Sequence, residues 1–586
     1  VVNDGSVIET TGIGAITLTG TGGNGIDNND GISISNLNSR ISSVNGTISL
    51  TGNGGTGMGE FNDGISIVEG STVTSSENGN ITLTGTGGSG TNGNDGIKMQ
   101  DAGSAVSSVN GNISLTGNGG TGMGEFNDGI SIVEGSTVTS SENGNITLTG
   151  TGGSGTNGND GIKMQDAGSA VSSVNGNISL TGNGGTGMGE FNDGISIVEG
   201  STVTSSENGN ITLTGTGGSG TNGNDGIKMQ DAGSAVSSVN GTISLTGNGG
   251  EGMGEFNDGI SIVDGSVVTS TENGNITLTG TGGSGTNGND GIKMQDAGSA
   301  VSSVNGTISL TGNGGTGTGG FNDGISIVDG SVVTSTATEN ITLTGTGGTG
   351  TDNNDGIRMG DSGSSVSSVN GTINLTGNGG AGTGEFNDGI SIVDGSVVTS
   401  TENGNITLTG TGGSGTDNND GIRMGDAGSG VSSVNGTISL TGNGGAGTGE
   451  FNNGISIVEG SAVTSSATGN ITLIGTGGIG TNNNSGIRLG DLGSSVSSVG
   501  GDINLTGTGI GMGDENFGIL VTDGGVVESF GIGTISFKGT GGNGQNINGG
   551  IRIVGTNSRV FSGGGDISLT GTGGNGTGQE NHGVSI

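Results

Sequence analysis

The sequence is dominated by a 65-residue repeat that recurs with few changes along most of the chain. Each copy opens with NGTISLTGNGG or a close variant, headed in turn by Ile48, Ile113, Ile178, Ile243, Ile308, Ile373, Ile438 and Ile503. A fixed period of this kind is typical of repeat architectures, in which each unit packs mainly against its neighbours. It also argues against an enzyme, because an active site is a unique arrangement and almost every residue here is copied.

Each repeat contains two similar halves of 33 and 32 residues, which we call the long coil and the short coil. Ile48 heads one half and Ile81 the next, and such heads from Ile16 to Ile567 give 18 coils. Alternating apolar residues between Gly-containing turns predict three strands per half, at residues 65–67, around Val73 and at residues 81–84.

The predicted fold is therefore all-β: a right-handed parallel β-helix, or β-solenoid, with three strands per coil and about 18 coils of alternating 33 and 32 residues. A β-propeller is the alternative, but its blades usually carry four strands within about 40–50 residues. With 26% hydrophobic residues and a net charge of −41, the composition alone would favour disorder. The fixed apolar positions outweigh it, because neighbouring coils cover the thin core of a solenoid.

The sequence predicts a single continuous β-solenoid over residues 1–586. Residues 46–500 form its core of seven 65-residue repeats, and residues 1–45 and 501–586 form more divergent coils. We expect the chain to be a fragment of a longer protein, because it starts and stops within a coil. It contains no cysteine, which excludes disulfides and thiol chemistry, and no apolar run of transmembrane length.

The phrases GNITLTGTGGSGT, NDGIKM and GSxVTSxxGNI resemble the β-strand-repeat regions of giant bacterial surface proteins, the filamentous-haemagglutinin-like and autotransporter-like adhesins. The resemblance covers essentially the whole chain. It implies secretion, an extracellular or cell-surface location, and a rod-like stalk used in adhesion or as fibre material. It transfers no catalytic residues.

Aspartates that precede the first strand of each coil are the candidate metal ligands. Carboxylates beside Asn side chains and backbone carbonyls suit Ca²⁺, so the sequence predicts tentative calcium ligands. They are Asp63, Asp95, Asp128, Asp160, Asp193, Asp225, Asp258, Asp290, Asp323, Asp355, Asp388 and Asp420. The alternative is an Asp-Gly turn whose carboxylate accepts local backbone N–H groups. Asn453 and Ser485 replace the aspartate in two later coils.

A row of basic residues occupies one outward position of the short coils: Lys98, Lys163, Lys228, Lys293, Arg358, Arg423, Arg488 and Arg552. The row is either an anion-binding stripe or a local neutralisation of acids such as Glu69 and Asp101. Because 52 acidic residues face 11 basic ones, neutralisation is favoured and nucleic-acid binding is disfavoured.

Three further features of the sequence are candidate sites. Outward T-x-T pairs such as Thr82 and Thr84 resemble the ice-binding faces of antifreeze β-solenoids, although threonine also simply fits exposed strands. Phenylalanines occur in long coils only, at Phe61, Phe126, Phe191, Phe256, Phe321, Phe386 and Phe451, either as a contact surface or as covers of their own loops. The single histidine, His582, has no evident catalytic partner.

The sequence thus favours a structural role, without catalytic residues and without an assigned cofactor other than calcium. We expect an extracellular or bacterial cell-surface fibre or adhesin stalk, a stiff acidic rod that associates with itself. We expect no insertion into membranes. The alternative function is a ligand-binding solenoid surface, either ice-binding or glycan-binding.

Overall fold

The computed structural model describes residues 1–586 and consists of β-strands and turns, without helices. It confirms the predicted β-solenoid of about 18 coils with parallel strand pairing. The chain divides into two compact units, and each is described by itself. Unit 1 comprises residues 1–285 and 298–306, and unit 2 comprises residues 286–297 and 307–586. No helix is long and apolar enough to cross a membrane.

The first strand of each coil, the A strand, is short and carries inward side chains at its two ends. Parallel pairing joins each A strand to the next coil, as in Ile65 with Ile97. In unit 1 the A strands are Ile32–Ile34, Ile65–Ile67, Ile97–Met99, Ile130–Ile132, Ile162–Met164, Ile195–Ile197, Ile227–Met229 and Ile260–Ile262. In unit 2 they are Ile292–Met294, Ile325–Ile327, Ile357–Met359, Ile390–Ile392, Ile422–Met424, Ile455–Ile457, Ile487–Leu489, Ile519–Val521, Ile551–Ile553 and Val584–Ser585.

The second strand, the B strand, has four residues and buries a central valine in most coils, such as Val73. In unit 1 the B strands are Val7–Thr10, Arg40–Ser43, Thr72–Ser75, Ala105–Ser108, Thr137–Ser140, Ala170–Ser173, Thr202–Ser205, Ala235–Ser238, Val267–Ser270 and Ala300–Ser303. In unit 2 they are Val332–Ser335, Ser365–Ser368, Val397–Ser400, Gly430–Ser433, Ala462–Ser465, Ser495–Ser498, Val526–Ser529 and Arg559–Ser562.

The third strand, the C strand, is the longest, because its I-x-L alternation continues through a glycine. In unit 1 the C strands are Ile16–Thr21, Ile48–Asn53, Ile81–Thr86, Ile113–Asn118, Ile146–Thr151, Ile178–Asn183, Ile211–Thr216, Ile243–Asn248 and Ile276–Thr281. In unit 2 they are Ile308–Asn313, Ile341–Thr346, Ile373–Asn378, Ile406–Thr411, Ile438–Asn443, Ile471–Thr476, Ile503–Thr508, Ile535–Thr540 and Ile567–Thr572. Each unit therefore contains nine coils counted by their C strands.

Short two-residue strands, the D strands, form in the loop between the C strand and the next A strand. In unit 1 they are Ser89–Gly90, Thr121–Gly122, Ser154–Gly155, Thr186–Gly187, Ser219–Gly220, Glu251–Gly252 and Ser284–Gly285. In unit 2 they are Thr316–Gly317, Ser414–Gly415 and Ala446–Gly447. Coil-to-coil pairing thus orders part of this loop.

The core is one apolar column enclosed by the A, B and C strands. In the coil that begins at the A strand Ile65–Ile67, the side chains of Val73, Ile81 and Leu83 are fully buried, as predicted. In short coils a methionine such as Met99 replaces the second isoleucine of the A strand. Each full burial of such a side chain contributes about 1.5–3 kcal/mol.

Glycine closes the coil where the end of the C strand meets the next A strand. A Cβ added at Gly345 would lie 1.9 Å from the carbonyl oxygen of Gly356, which is backbone and cannot yield cheaply. By contrast, a Cβ added at Gly360 would meet the side chain of Val328 at 3.5 Å, an ordinary contact.

We therefore expect Gly345→Ala to destabilise unit 2 by about 1–3 kcal/mol, because the coil must open to admit the methyl group. Gly360→Ala is the matched control and should leave the free energy of unfolding nearly unchanged. Thermal unfolding together with hydrogen exchange of the neighbouring coils measures both effects. Equal behaviour of the two variants would contradict this account of coil closure.

Candidate ligand-binding face and buried polar ladders

A ladder of buried asparagines runs beneath the loop that precedes the A strands. The amide of each side chain donates to the side-chain oxygen of the next coil, as from Asn62 to Asn94 at 2.9 Å and from Asn94 to Asn127 at 2.7 Å. The same pattern occurs in unit 2, from Asn354 to Asn387 at 2.8 Å. Stacked amides of this kind satisfy one another along the axis, so the ladder fixes the register of successive coils.

The aspartates predicted as calcium ligands form a second ladder, one residue further along the chain. Asp63, Asp95 and Asp128 are 1%, 4% and 1% exposed, so these carboxyl groups lie inside the wall of the solenoid. Each Oδ1 accepts the backbone N–H of the aspartate in the next coil, at 2.9 Å from Asp95 to Asp63 and 2.8 Å from Asp128 to Asp95. This geometry agrees with the alternative interpretation, in which the carboxylate binds backbone N–H groups.

Burial raises the pKa of these carboxyl groups. In the short coils, desolvation outweighs the opposing charge of the nearby lysine and raises the pKa of Asp95 and Asp160 to about 6. In the long coils, desolvation and the adjacent carboxylates hold the pKa of Asp63 and Asp128 well above the usual range. The pKa is thus raised in both kinds of coil, and in the short coils it reaches about 7 at Asp420 and about 8 at Asp290.

The position of Asn453 shows what a neutral side chain does at a long-coil aspartate position. Its Oδ1 accepts the backbone N–H of Ser485 at 3.0 Å, and its Nδ2 donates to the carbonyl of Phe451 at 3.2 Å. Asp388 occupies the equivalent place, and its Oδ2 is buried without a hydrogen-bond partner. A proton on that oxygen would supply the donor that the amide supplies at Asn453, which favours the neutral form of the carboxyl group.

The phenylalanines and the basic row form pairs that bridge two coils. Nζ of Lys98 lies 4.2 Å from the centre of the Phe61 ring, and Nζ of Lys163 lies 4.3 Å from that of Phe126. In unit 2 arginines take the same role, as with Arg423 over Phe386 at 4.8 Å. Such cation–π contacts contribute about 0.5–2 kcal/mol.

In the first repeats the ring lies over a glycine of the next coil, and in later repeats an asparagine such as Asn353 takes that place. Phe61 has a left-handed backbone with φ 59°, and the equivalent residue of the next coil is Gly93, also at φ 59°. A Cβ added at Gly93 would lie 2.8 Å from Cδ1 of Phe61, so the ring covers that glycine. The interpretation that each ring covers only its own loop was incomplete, because it covers the loop of the following coil.

The charges that act most strongly on Lys228, a member of the basic row, are those of the buried aspartates. The pKa of Lys228 is raised because Asp193, Asp225 and Asp160 together outweigh its desolvation. Asp231, which is equivalent to Asp101, raises the pKa of Lys228 by less than these three aspartates. The predicted neutralisation is therefore directed mainly at the aspartate ladder and less at the exposed acids.

A column of acidic residues at one corner was missed as a set by the sequence analysis. Every member has a left-handed backbone, with φ between 52° and 73°. In unit 1 the acidic column comprises Glu69, Asp101, Glu134, Asp166, Glu199, Asp231 and Asp264, and in unit 2 it comprises Asp296, Asp329, Asp361, Asp394, Asp426, Glu459, Asp491 and Asp523. The available signal was an acid placed one or two residues before a glycine, as in Glu69-Gly70 and Asp101-Ala102-Gly103.

A trough lies on unit 1 between the phenylalanine row and the acidic column. One chamber of about 440 Å³ includes Phe61, Lys98 and Glu134 in its lining. A second of about 540 Å³ lies one repeat further on and includes Phe191 and Lys228. Both chambers are also lined by Phe126 and Lys163, so they form one continuous depression.

The T-x-T pairs lie on the outward side of the C strands, as predicted. Pairing places Thr51 beside Thr84 and Ser49 beside Thr82, so the second position repeats in every coil of unit 1 while the first alternates with serine. The row at the second position consists of Thr19, Thr51, Thr84, Thr116, Thr149, Thr181, Thr214, Thr246 and Thr279. In unit 2 it is interrupted by Ile474 and Lys538.

No group of three or more His, Cys, Asp or Glu side chains is arranged to hold a metal ion. The calcium prediction for the aspartates stays a prediction. His582 is exposed and its side chain makes no hydrogen bond.

The comparisons with known proteins add no family. No protein-family model, curated protein or solved structure matches this chain.

The raised pKa values predict that the chain is more stable in mild acid than at slightly alkaline pH. Between the unfolded value of 3.8 and folded values of about 6 for Asp160 and about 8 for Asp290, the folded chain binds more protons than the unfolded chain. The free energy of unfolding must then fall as pH rises, by about 3 kcal/mol for a pKa of about 6. Melting temperatures at about pH 4 and about pH 8 measure the difference.

Asp388→Asn is the matched variant for this experiment. The amide should reproduce the contacts of Asn453, so the melting temperature at the alkaline end should equal or exceed that of the parent chain. Two results would contradict the assignment of a neutral carboxyl group. One is a parent chain whose melting temperature rises with pH, and the other is a variant that melts below the parent chain at both pH values.

Proposed function

We propose that this chain is a structural segment of an extracellular or bacterial cell-surface fibre or adhesin stalk, in which stacked coils make a stiff acidic rod. The observation that carries the proposal is the continuity of contacts within each unit. The A, B and C strands, the asparagine ladder and the aspartate ladder all join one coil to the next in the same way. Such coils can be added or lost without a new kind of packing.

Stiffness follows from the number of parallel ladders at each coil interface. Three backbone ladders resist separation of neighbouring coils, while the two side-chain ladders oppose sliding between them. Backbone groups held in continuous ladders are also poor protease substrates, because cleavage requires local opening of the chain.

The excess of acidic residues is the second feature that supports the proposal. With 52 acidic and 11 basic residues, the chain repels nucleic acids and attracts cations. The resemblance to adhesin repeats favours secretion, although no family match supports it. Divalent cations bridging acidic columns would promote lateral association, and no unique set of residues favours catalysis.

Electron microscopy of the chain with Ca²⁺ and with EDTA tests the proposal. We expect elongated particles with a repeat of about 4.8 Å along the axis, which form bundles in Ca²⁺ and disperse in EDTA. NaCl is the control, because monovalent ions screen charge without bridging it. Compact particles would contradict the rod, and single particles unchanged by EDTA would contradict calcium-dependent assembly.

A second candidate function, binding to ice, is favoured by the unbroken threonine row of unit 1. Nine threonines stand in register on the outward side of the C strands, at about 4.8 Å intervals.

We expect thermal hysteresis and faceted ice crystals if this row binds ice, and loss of both on Thr84→Tyr because the bulky ring breaks the flat surface. Ser107→Tyr, on the outward side of a B strand, is the control. Freezing without hysteresis in the parent chain would contradict this second function.

A further inference from the structure

The trough on unit 1 has the form of a site for a linear polymer rather than a small molecule. Its two chambers have Phe126 and Lys163 in common, and they repeat the same lining one 65-residue unit apart. Equivalent side chains therefore recur about every 9.6 Å, twice the spacing of adjacent strands. A ligand that satisfies one chamber would meet identical partners in the next only if it were itself periodic and extended.

The period corresponds to two sugar residues of an extended polysaccharide. Phenylalanine rings stand at this interval along one wall, with 37% of Phe61 and 45% of Phe126 and Phe191 exposed. Each ring carries the lysine ammonium against it, but the exposed part remains available to the apolar C–H face of a pyranose ring.

The polar groups of the trough suit hydroxyl groups, which both donate and accept hydrogen bonds. Lys98 and Lys163 line the trough with their ammonium groups over aromatic rings, and each ammonium group carries three N–H donors, more than one ring contact uses. Acceptors stand opposite: Nε2 of Gln100 donates to Glu134 at 2.9 Å, and Nδ2 of Asn92 donates to Glu60 at 3.0 Å, which leaves further carboxylate lone pairs free.

The charge of the trough selects against other polymers. Six acidic residues and two lysines line the first chamber. A polyanion such as a uronic-acid polymer or a nucleic acid would be repelled by the acidic excess. A basic peptide would meet the lysine ammonium groups along the centre, at the positions where its own cations would have to stack on the rings.

We propose that the trough binds a neutral, extended polysaccharide parallel to the solenoid axis, with two sugar residues for each 65-residue repeat. The site goes beyond the structural role proposed above and does not depend on self-association. Binding involves no cleavage.

Saturation-transfer NMR and calorimetry on the full chain test the proposal with cellohexaose, xylohexaose and maltohexaose as neutral probes. Hexagalacturonate and hexalysine are the anionic and cationic probes. We expect at least one neutral hexasaccharide to bind, and its affinity to exceed that of the corresponding disaccharide by about tenfold or more, because the longer probe reaches further equivalent partners.

The decisive variant replaces Phe61, Phe126 and Phe191 together by leucine, which keeps apolar volume over the glycines but removes the aromatic faces. We expect affinity for the neutral hexasaccharide to fall by about tenfold. The matched control replaces Met58, Met123 and Met188 by leucine, since these side chains lie in the same loops, are 84–88% exposed and do not line the trough. Thermal melting of each variant checks that the coils remain folded.

Three results would overturn the proposal. The first is no binding of any neutral hexasaccharide at millimolar concentration. The second is preferential binding of hexagalacturonate or hexalysine. The third is an equal loss of affinity in the methionine control, which would place binding outside the trough. If the leucine triple variant unfolds, replacing Gln100, Gln165 and Gln230 by methionine gives the same test, because the amide donors are lost while the rings remain.

Discussion

Every side chain on the solenoid has a counterpart about 4.8 Å away in the next coil, and this proximity is the constraint on which the other features depend. Apolar residues and amides gain from it, since isoleucines pack on isoleucines and each asparagine donates to the next. Bulky rings and like charges are destabilised by it, because two phenylalanines at that distance collide and two lysines repel each other.

The chain avoids these contacts by alternating residue types between neighbouring coils, and alternation needs two coils. Phe61 is followed by Gly93, and Ser66 by Lys98. The 65-residue period is therefore the shortest period that can accommodate the phenylalanine–lysine bridges.

The aspartate ladder meets the same constraint by protonation rather than by a change of residue type. Two buried carboxyl groups occur in each pair of coils, while one lysine is available to balance them. Burial raises the pKa in both kinds of coil, and protonation of long-coil groups such as Asp63, where the neighbouring carboxylates add to desolvation, reduces the repulsion within the ladder. The substitution at Asn453 fits this scheme, since it falls in a long coil, where the amide is the closest mimic of a protonated carboxyl group.

The fold could be predicted from sequence because its signal is periodic and every copy repeats it. The inward residues of the strands, the unequal coil lengths and the outward threonines followed directly from alternation and spacing. The sites were harder, because spacing shows that residues lie in one column but does not show which direction they face. Asp63 has the spacing of a surface ligand, yet its carboxyl group is buried against the backbone of the next coil. Lys98 was paired with Glu69 and Asp101 by charge alone, whereas its position over Phe61 depends on the left-handed turn in the intervening loop.

The differences between repeats separate what the fold requires from what the surface can vary. The ring persists from Phe61 to Phe451 while its partner changes from lysine, as in Lys98, to arginine, as in Arg488, so the cation–π bridge is maintained and the identity of the cation is not. The residue two positions after the cation changes from Gln100, in a coil with lysine, to Gly360, in a coil with arginine, which removes an amide from the wall facing the acidic column. Because the bridge is common to both units, the fold does not depend on that amide. The glutamines of unit 1 are therefore surplus to coil packing, and hydrogen bonding within the trough is the property that their presence changes.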